Sequence, residues 1–379
     1  MADIYANATV TLSADCAANT SSGLFRNEAA RAEAHHLCEI QCSNPDDNSP
    51  VTIKSRTRTY YSLGTLPHTC MDNQPSKLST RGWTFQERVL SKRIIHFYKE
   101  ELVWSCATLQ RCECRLSRLG PEKTGISFLT SIKRSSDELL EWWPIEVAAF
   151  TKRGLTCSSD RLAAVSGLAA LIHKEVGGKY LCGHWERSME ESLLWASDHG
   201  RWVKRPVQRI PVSPYAPSWS WASVDGPVQL MSWTCEIEMK FIQGETETRT
   251  ANPYGPVSKG RVTLRGRVVP LKWDADRYPV PRFTAEHSTI EASWWPEDIM
   301  FDALAESDEK EMGNSSFALL LAGVNTTKPD GGLTQSFLSM LLCANSLIGN
   351  SIYERRGLLH AHCPRGFWDK VPIQDVIIK

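Results

Sequence analysis

The sequence predicts an α+β fold: an α/β piece, then a helical connector, then a β-rich C-terminal region. Three patterns in the 379 residues carry that expectation. Residues 79–90 place apolar side chains at helical spacing and run into the alternating stretch Ile94-Ile95-His96-Phe97-Tyr98. Residues 161–172 repeat leucine, valine and alanine with helical period behind Ser158-Ser159-Asp160, and Gly177-Gly178 closes them. From Arg261 onward, β-branched and apolar residues return in separate short runs.

Along the chain, the β-branched residues of 8–14 alternate as in a half-buried strand, while 45–50 and 69–79 are rich in Pro, Asp, Asn and Ser and read as surface loops. Ser79 or Thr80 opens the next helix, with Trp83 and Leu90 expected to dock it and Glu87 lying between them. A hairpin follows, Ile94 to Tyr98 and Leu102 to Cys106, turned at Lys99, Glu100 and Glu101. Beyond it, 111–205 reads as the connector, with helices expected at 161–172 and 185–196. Trp219 and Trp221 are two apart and share one face if the chain is extended. Strands are expected at 261–269, 317–324, 339–344 and 353–359, with 306–311 as a charged loop. The expected parts are therefore 1–110, 111–205 and 206–379.

The densest chemistry lies in Arg81-Gly82-Trp83-Thr84-Phe85-Gln86-Glu87-Arg88. A carboxylate at Glu87 is either desolvated and poised or paired with Arg81, Arg88 or Arg93. Thr84-Phe85-Gln86-Glu87 also fits a capping box, in which Glu87 only bonds a backbone N–H.

Arg81 to Ser91, with Arg93-Ile94-Ile95-His96-Phe97 and Leu102-Val103-Trp104-Ser105-Cys106, resembles the closing motif of the fungal heterokaryon-incompatibility (HET) domain. The opening Met1 to Ala14, with Gly23-Leu24-Phe25, resembles that domain's middle motif, in the same order. The matched positions are Tyr5, Asn7 and Ala8 in the first stretch and Arg81, Gly82, Trp83, Gln86, Glu87 and Arg88 in the second. Residues 158–195 resemble the region that follows the domain. Ala216-Pro217-Ser218-Trp219-Ser220-Trp221-Ala222-Ser223-Val224 matches a downstream family motif through Trp219 and Trp221. The family's earlier Trp-Ile-Asp strand and acidic helix have no counterpart ahead of Met1, so the resemblance implies an N-terminally truncated domain.

What the resemblance implies is a regulatory protein of fungal non-self recognition, linked to programmed cell death, working through protein partners and needing no cofactor. An enzyme alternative also follows from it. The family looks distantly similar to Toll/interleukin-receptor domains, some of which cleave NAD with a glutamate, and in that case Glu87 is the catalytic candidate and NAD the substrate.

Composition narrows the rest. Lys plus Arg equals Asp plus Glu at 43 each, so no global field favours nucleic acid or an anionic membrane. The cluster Lys54, Arg56, Arg58 reads as a solvated face. No apolar stretch reaches membrane-spanning length and no secretory leader is seen, which points to an intracellular, cytoplasmic protein with no membrane span. The 12 cysteines are then expected mostly as free thiols. Zinc is not expected: Cys106, Cys112, Cys114, His35, His36, Cys38, Cys42 and His360-Ala361-His362-Cys363 supply ligand types without paired C-x₂-C units. Nucleophile-elbow, phosphate-loop, metalloprotease and dinucleotide signatures are missing. The two neighbouring indoles Trp219 and Trp221 read first as core, and second as a ring-stacking site.

Overall fold

The computed structural model describes residues 2–24, 37–56, 76–98, 102–112, 118–119, 135–197, 208–209, 215–230, 236–274, 282–287, 290–294, 299–302, 316–324, 334–344 and 352–379. Helices and strands are both plentiful, and the C-terminal region is β-rich: an α+β protein. Its contacts divide it into two units, Met1–Arg134 and Ser135–Lys379. The helical segment 135–197 falls in the second unit together with the C-terminal strands.

In the first unit, helix α1 (Ala2–Asn7) precedes the edge strand Thr11–Ser13, which pairs in parallel with Arg93–Phe97. Leu102–Cys106, Gln110–Cys112 and Arg118–Leu119 continue that sheet antiparallel. The expected hairpin is present with Ile95 opposite Trp104; its turn at Lys99 to Glu101 lies outside the described residues. A separate hairpin, Leu37–Ser43 with Pro50–Arg56, flanks the expected loop at 45–50.

Helix α2 (Gly82–Leu90) supplies the expected helix with a different buried face. Gly82, Phe85, Gln86, Val89 and Leu90 are buried, an i, i+3, i+4, i+7, i+8 stripe. Trp83 and Glu87 sit beside that stripe, half-buried, so Phe85 and Val89 dock the helix where Trp83 was expected. Arg81, not Ser79 or Thr80, is the N-cap. The capping box is absent for the same reason: Thr84 is already inside the helix, and its hydroxyl donates to the Arg81 carbonyl at 2.8 Å and to that of Leu78.

The second unit opens with helix α3 (Ser136–Thr151), which carries a capping box between Ser135 and Glu138 and Pro144 within it. Helix α4 (Ser166–Val176) follows two 3₁₀ turns at Ser158–Asp160 and Ala163–Val165, and Gly177 at φ 66° ends it. The helix expected over 185–196 shrinks to α5 (Met189–Ser192), because Trp185 ends the short hairpin Tyr180–Leu181/His184–Trp185 and Trp195–Ser197 is a strand. Cys182 and Gly183 at φ 48° and 96° form that hairpin's two-residue turn, the left-handed pair a tight hairpin requires.

The C-terminal strands match the expected ones and extend them. Val257–Asp274, Phe317–Val324, Thr334–Ala344, Ile352–Pro364 and Ile373–Ile378 pair in succession, and the last returns to the first, so the pairings close into a ring. Leu319, Leu321, Phe337, Leu341, Leu359 and Trp368 belong to its apolar core. Among the described residues no helix is long and apolar enough to cross a membrane.

Candidate functional site

The sheet and helix of the first unit bring Tyr5 and Glu87 together. Helix α1 packs on α2, and the Tyr5 phenol and the Glu87 carboxylate lie close enough to interact. Burial, then the nearby Glu87 charge, then hydrogen bonding to Glu87 push the Tyr5 phenol up. The expected partners of Glu87 were arginines or a backbone N–H; the partner seen is a phenol reaching over from α1.

The other matched positions serve the backbone or the core. Arg81 is exposed, with its N–H donating to the Leu78 carbonyl at 3.0 Å. Gly82 and Gln86 lie on the buried stripe of α2, and the Arg88 carbonyl accepts from Ser91 N–H at 3.3 Å. The Asn7 amide donates to Asp3 O at 2.8 Å, and Ala8 N–H to Tyr5 O at 3.3 Å, so these two finish α1.

A second polar group lies under α2. Asp15 and His96 are both buried, with His96 Nδ1 donating to Asp15 Oδ2 at 2.9 Å and Ser76 Oγ donating to Asp15 Oδ1 at 2.7 Å. Burial raises the Asp15 carboxyl, but the His96 bond and charge, with Ser76 and Ser13, outweigh it and hold it below its ordinary value. The Asp15 contact fixes the proton on Nδ1 and leaves Nε2 buried without a hydrogen-bond partner. An oriented imidazole of this kind has acid–base geometry, but at 1% exposure no substrate reaches it, so the pair is a structural one. The sequence carried one part of this signal, His96 at an inward strand position; Asp15, 81 residues away, meets it only through the parallel pairing of Thr11–Ser13 with Arg93–Phe97.

Acid should weaken this pair. A carboxyl held below the ordinary 3.8 contributes stability that is complete above that value and fades as pH falls through the lowered folded one. We expect Asp15→Asn to flatten the acid limb of stability against pH in denaturant titrations. An unaltered acid limb would mean that Asp15 gains nothing from its partners.

Trp219 and Trp221 lie in the second unit and are core residues, at 0% and 2% exposure. They do not share the face of an extended strand, because Trp221–Ser223 is a 3₁₀ turn. Trp195 Nε1 donates to the Trp219 carbonyl at 2.9 Å, while Trp221 Nε1 and Trp143 Nε1 both donate to the Gly183 carbonyl, at 3.1 and 2.8 Å. With their faces covered, neither indole offers a ring-stacking surface.

The thiols and imidazoles are dispersed. His360 and His362 lie 6.4 Å apart, and His360 Nε2 bonds Ser336 Oγ at 3.0 Å, whereas Cys363 belongs to the apolar core and burial pushes its thiol up to about 12. One strand thus turns the imidazoles and the thiol to opposite faces. Burial raises the Cys106 thiol, but hydrogen bonding with Thr108, then with the Trp104 side chain and the Leu109 backbone, outweighs it and brings the thiol down to about 7. Among the described residues no group of three or more His, Cys, Asp or Glu converges as a metal site. His35, His36 and Cys114 lie outside the described residues.

Comparison of the chain with protein-family models, with curated proteins and with solved structures gives no match.

Proposed function

We propose that this chain is a regulatory protein of fungal non-self recognition, related to the heterokaryon-incompatibility domain and linked to programmed cell death through cytoplasmic protein partners. The observation that supports the reading is the Tyr5–Glu87 contact. Two stretches resembling successive motifs of one family, about 80 residues apart in sequence, are brought together with matched positions of each side by side. The helix-plus-hairpin form of residues 82–106 supports it further.

The same contact favours a binding role over NAD cleavage. A glutamate that stabilises positive charge at a ribose must present its carboxylate to the sugar. Here a phenol of the neighbouring helix lies against the Glu87 carboxylate, where the sugar would have to sit.

Expression in a filamentous fungus, followed by fusion with a strain lacking the gene, tests the reading by vital-dye uptake. Cell death that requires the chain, that survives Glu87→Gln, and that comes with no NAD turnover by the purified protein is the expected result. Fusion without death would sink the recognition reading. NAD turnover abolished by Glu87→Gln in an equally stable variant would replace it with the glycohydrolase.

A further inference from the structure

We infer that the sheet face of the first unit opposite α2 is a docking surface for an amphipathic helix of a protein partner, one whose flanks carry carboxylates. Strand register defines the surface. Leu12 stands opposite Ile95, Ile95 opposite Trp104, and Trp104 opposite Arg111. Directly opposed residues point to the same side of a sheet, so these four form one transverse row.

The other side belongs to α2. Ile94, His96, Val103 and Ser105 are buried there, and Ser91, just past the end of α2, bonds Thr11 Oγ1 at 2.7 Å. The row side is open toward the Leu12 edge. Leu12 is 52% exposed and Val10, two residues before it, 39%, while Ile95 and Trp104 are half-buried and Phe97, on the same side beyond Ile95, is buried. Aliphatic and indole side chains on a sheet are ordinarily buried against a second layer.

Dimensions and charge choose the occupant. Strands lie about 4.8 Å apart, so Leu12 to Trp104 spans about 10 Å. That is close to the width of a single helix with its side chains, about 10–12 Å. Arg111 ends the row, and Arg93 lies on the same face two residues before Ile95. Both are exposed, and neither forms an ion pair among the described residues; the Arg93 guanidinium makes a 3.4 Å contact with the Thr9 carbonyl. A second copy of this chain would bring its own arginines to the same rim, whereas glutamates flanking an apolar stripe meet them with opposite charge. The inference stands on this surface alone and does not depend on the incompatibility reading or on Glu87.

The test titrates the full chain against fluorescein-labelled amphipathic peptides of about 18 residues, long enough for several helical turns. One peptide carries glutamates beside a leucine stripe, the other lysines, and anisotropy reads binding. The glutamate peptide should bind saturably and at least about tenfold tighter than the lysine peptide, a difference of about 1.4 kcal/mol. Leu12→Asp should weaken it by a similar factor, and Arg93→Glu with Arg111→Glu should reverse the preference. All substituted residues are exposed, and melting curves verify that the variants fold. Four results would overturn the inference: no saturable binding, equal binding of both peptides, indifference to the charge reversal, or self-association of the wild type that Leu12→Asp abolishes.

Discussion

Trp219→Ala and Trp221→Ala should each destabilise the second unit by about 3–5 kcal/mol, the range for truncating a fully buried large aromatic side chain. Both indoles are fully enclosed, and their surroundings cannot collapse into the space left behind. Trp221 packs edge-on against Phe150 at 6.1 Å, and the Arg161 guanidinium lies 5.7 Å from its ring. The turn at Gly183 presses on it: a Cβ there would stand 2.4 Å from Trp221 Nε1. Trp219 faces the His184 ring at 5.7 Å, and a Cβ on Gly260 would come within 3.2 Å of its Cζ2. Backbone approaches this close leave no flexible neighbour to fill a cavity. Two hydrogen-bonding effects add to the loss, since Trp221→Ala removes a donor from the Gly183 carbonyl and Trp219→Ala disturbs the segment whose carbonyl serves Trp195. Chemical denaturation of both variants measures the shift; unchanged midpoints would mean that the indoles are not core.

The fold was readable in the sequence wherever one local pattern decided the outcome. The hairpin 93–106 and the strands from Arg261 onward follow from alternation, and the apolar run at 317–324 is long enough to mark a buried strand. Helix α3 carried a readable start, Ser135 followed three residues later by Glu138, but Trp142-Trp143-Pro144 obscured the period behind it. The expected helix at 185–196 failed for the opposite reason. Its residues have helical spacing, yet Trp185 and Trp195 are claimed by strand pairings at both ends, with Tyr180 and with Leu230. The candidate site was half-readable. Glu87 stands out by charge in a dense segment, but its partner Tyr5 is far away in sequence, and the choice between Trp83 and Phe85 as the docking residue turns on a rotation of one position about the helix. No spacing rule carries contacts set by tertiary pairing, and Asp15–His96 and Arg355–Asp302 are both of that kind.

Asp302→Ala should cost about 3–5 kcal/mol, as should Arg355→Ala, whereas replacing both with apolar residues of similar volume should come out close to wild type. Both side chains are at 0% exposure, with Arg355 Nη2 3.1 Å from Asp302 Oδ1. The guanidinium carbon lies 3.7 Å from the centre of the Trp195 ring, and Nη2 also donates to the Trp195 carbonyl. Around the pair, Arg355 N–H donates to Ser218 Oγ at 2.9 Å and Ser197 Oγ donates to the Asp302 carbonyl. Strand Trp195–Ser197, the Ser218–Trp221 segment and strand Ile352–Pro364 therefore meet at one buried charge pair. Removing either partner leaves the other's charge in the interior, and that uncompensated charge, more than the lost attraction, sets the cost. Arg355→Met with Asp302→Leu removes both charges at once, so the double variant separates charge from packing. If it is as unstable as the single variants, the hydrogen bonds to Trp195 and Ser218 carry the stability and the charge argument fails. His184 supplies an independent readout. Burial, then the Arg355 charge, bring its imidazole down to about 3, so it is neutral, with Nδ1 bonded to Ser192 Oγ at 2.8 Å. In Arg355→Met the His184 value should rise while staying below the ordinary 6.5, because burial, the larger cause, is untouched. An NMR titration of the imidazole that finds no rise would mean that the guanidinium charge is not felt there.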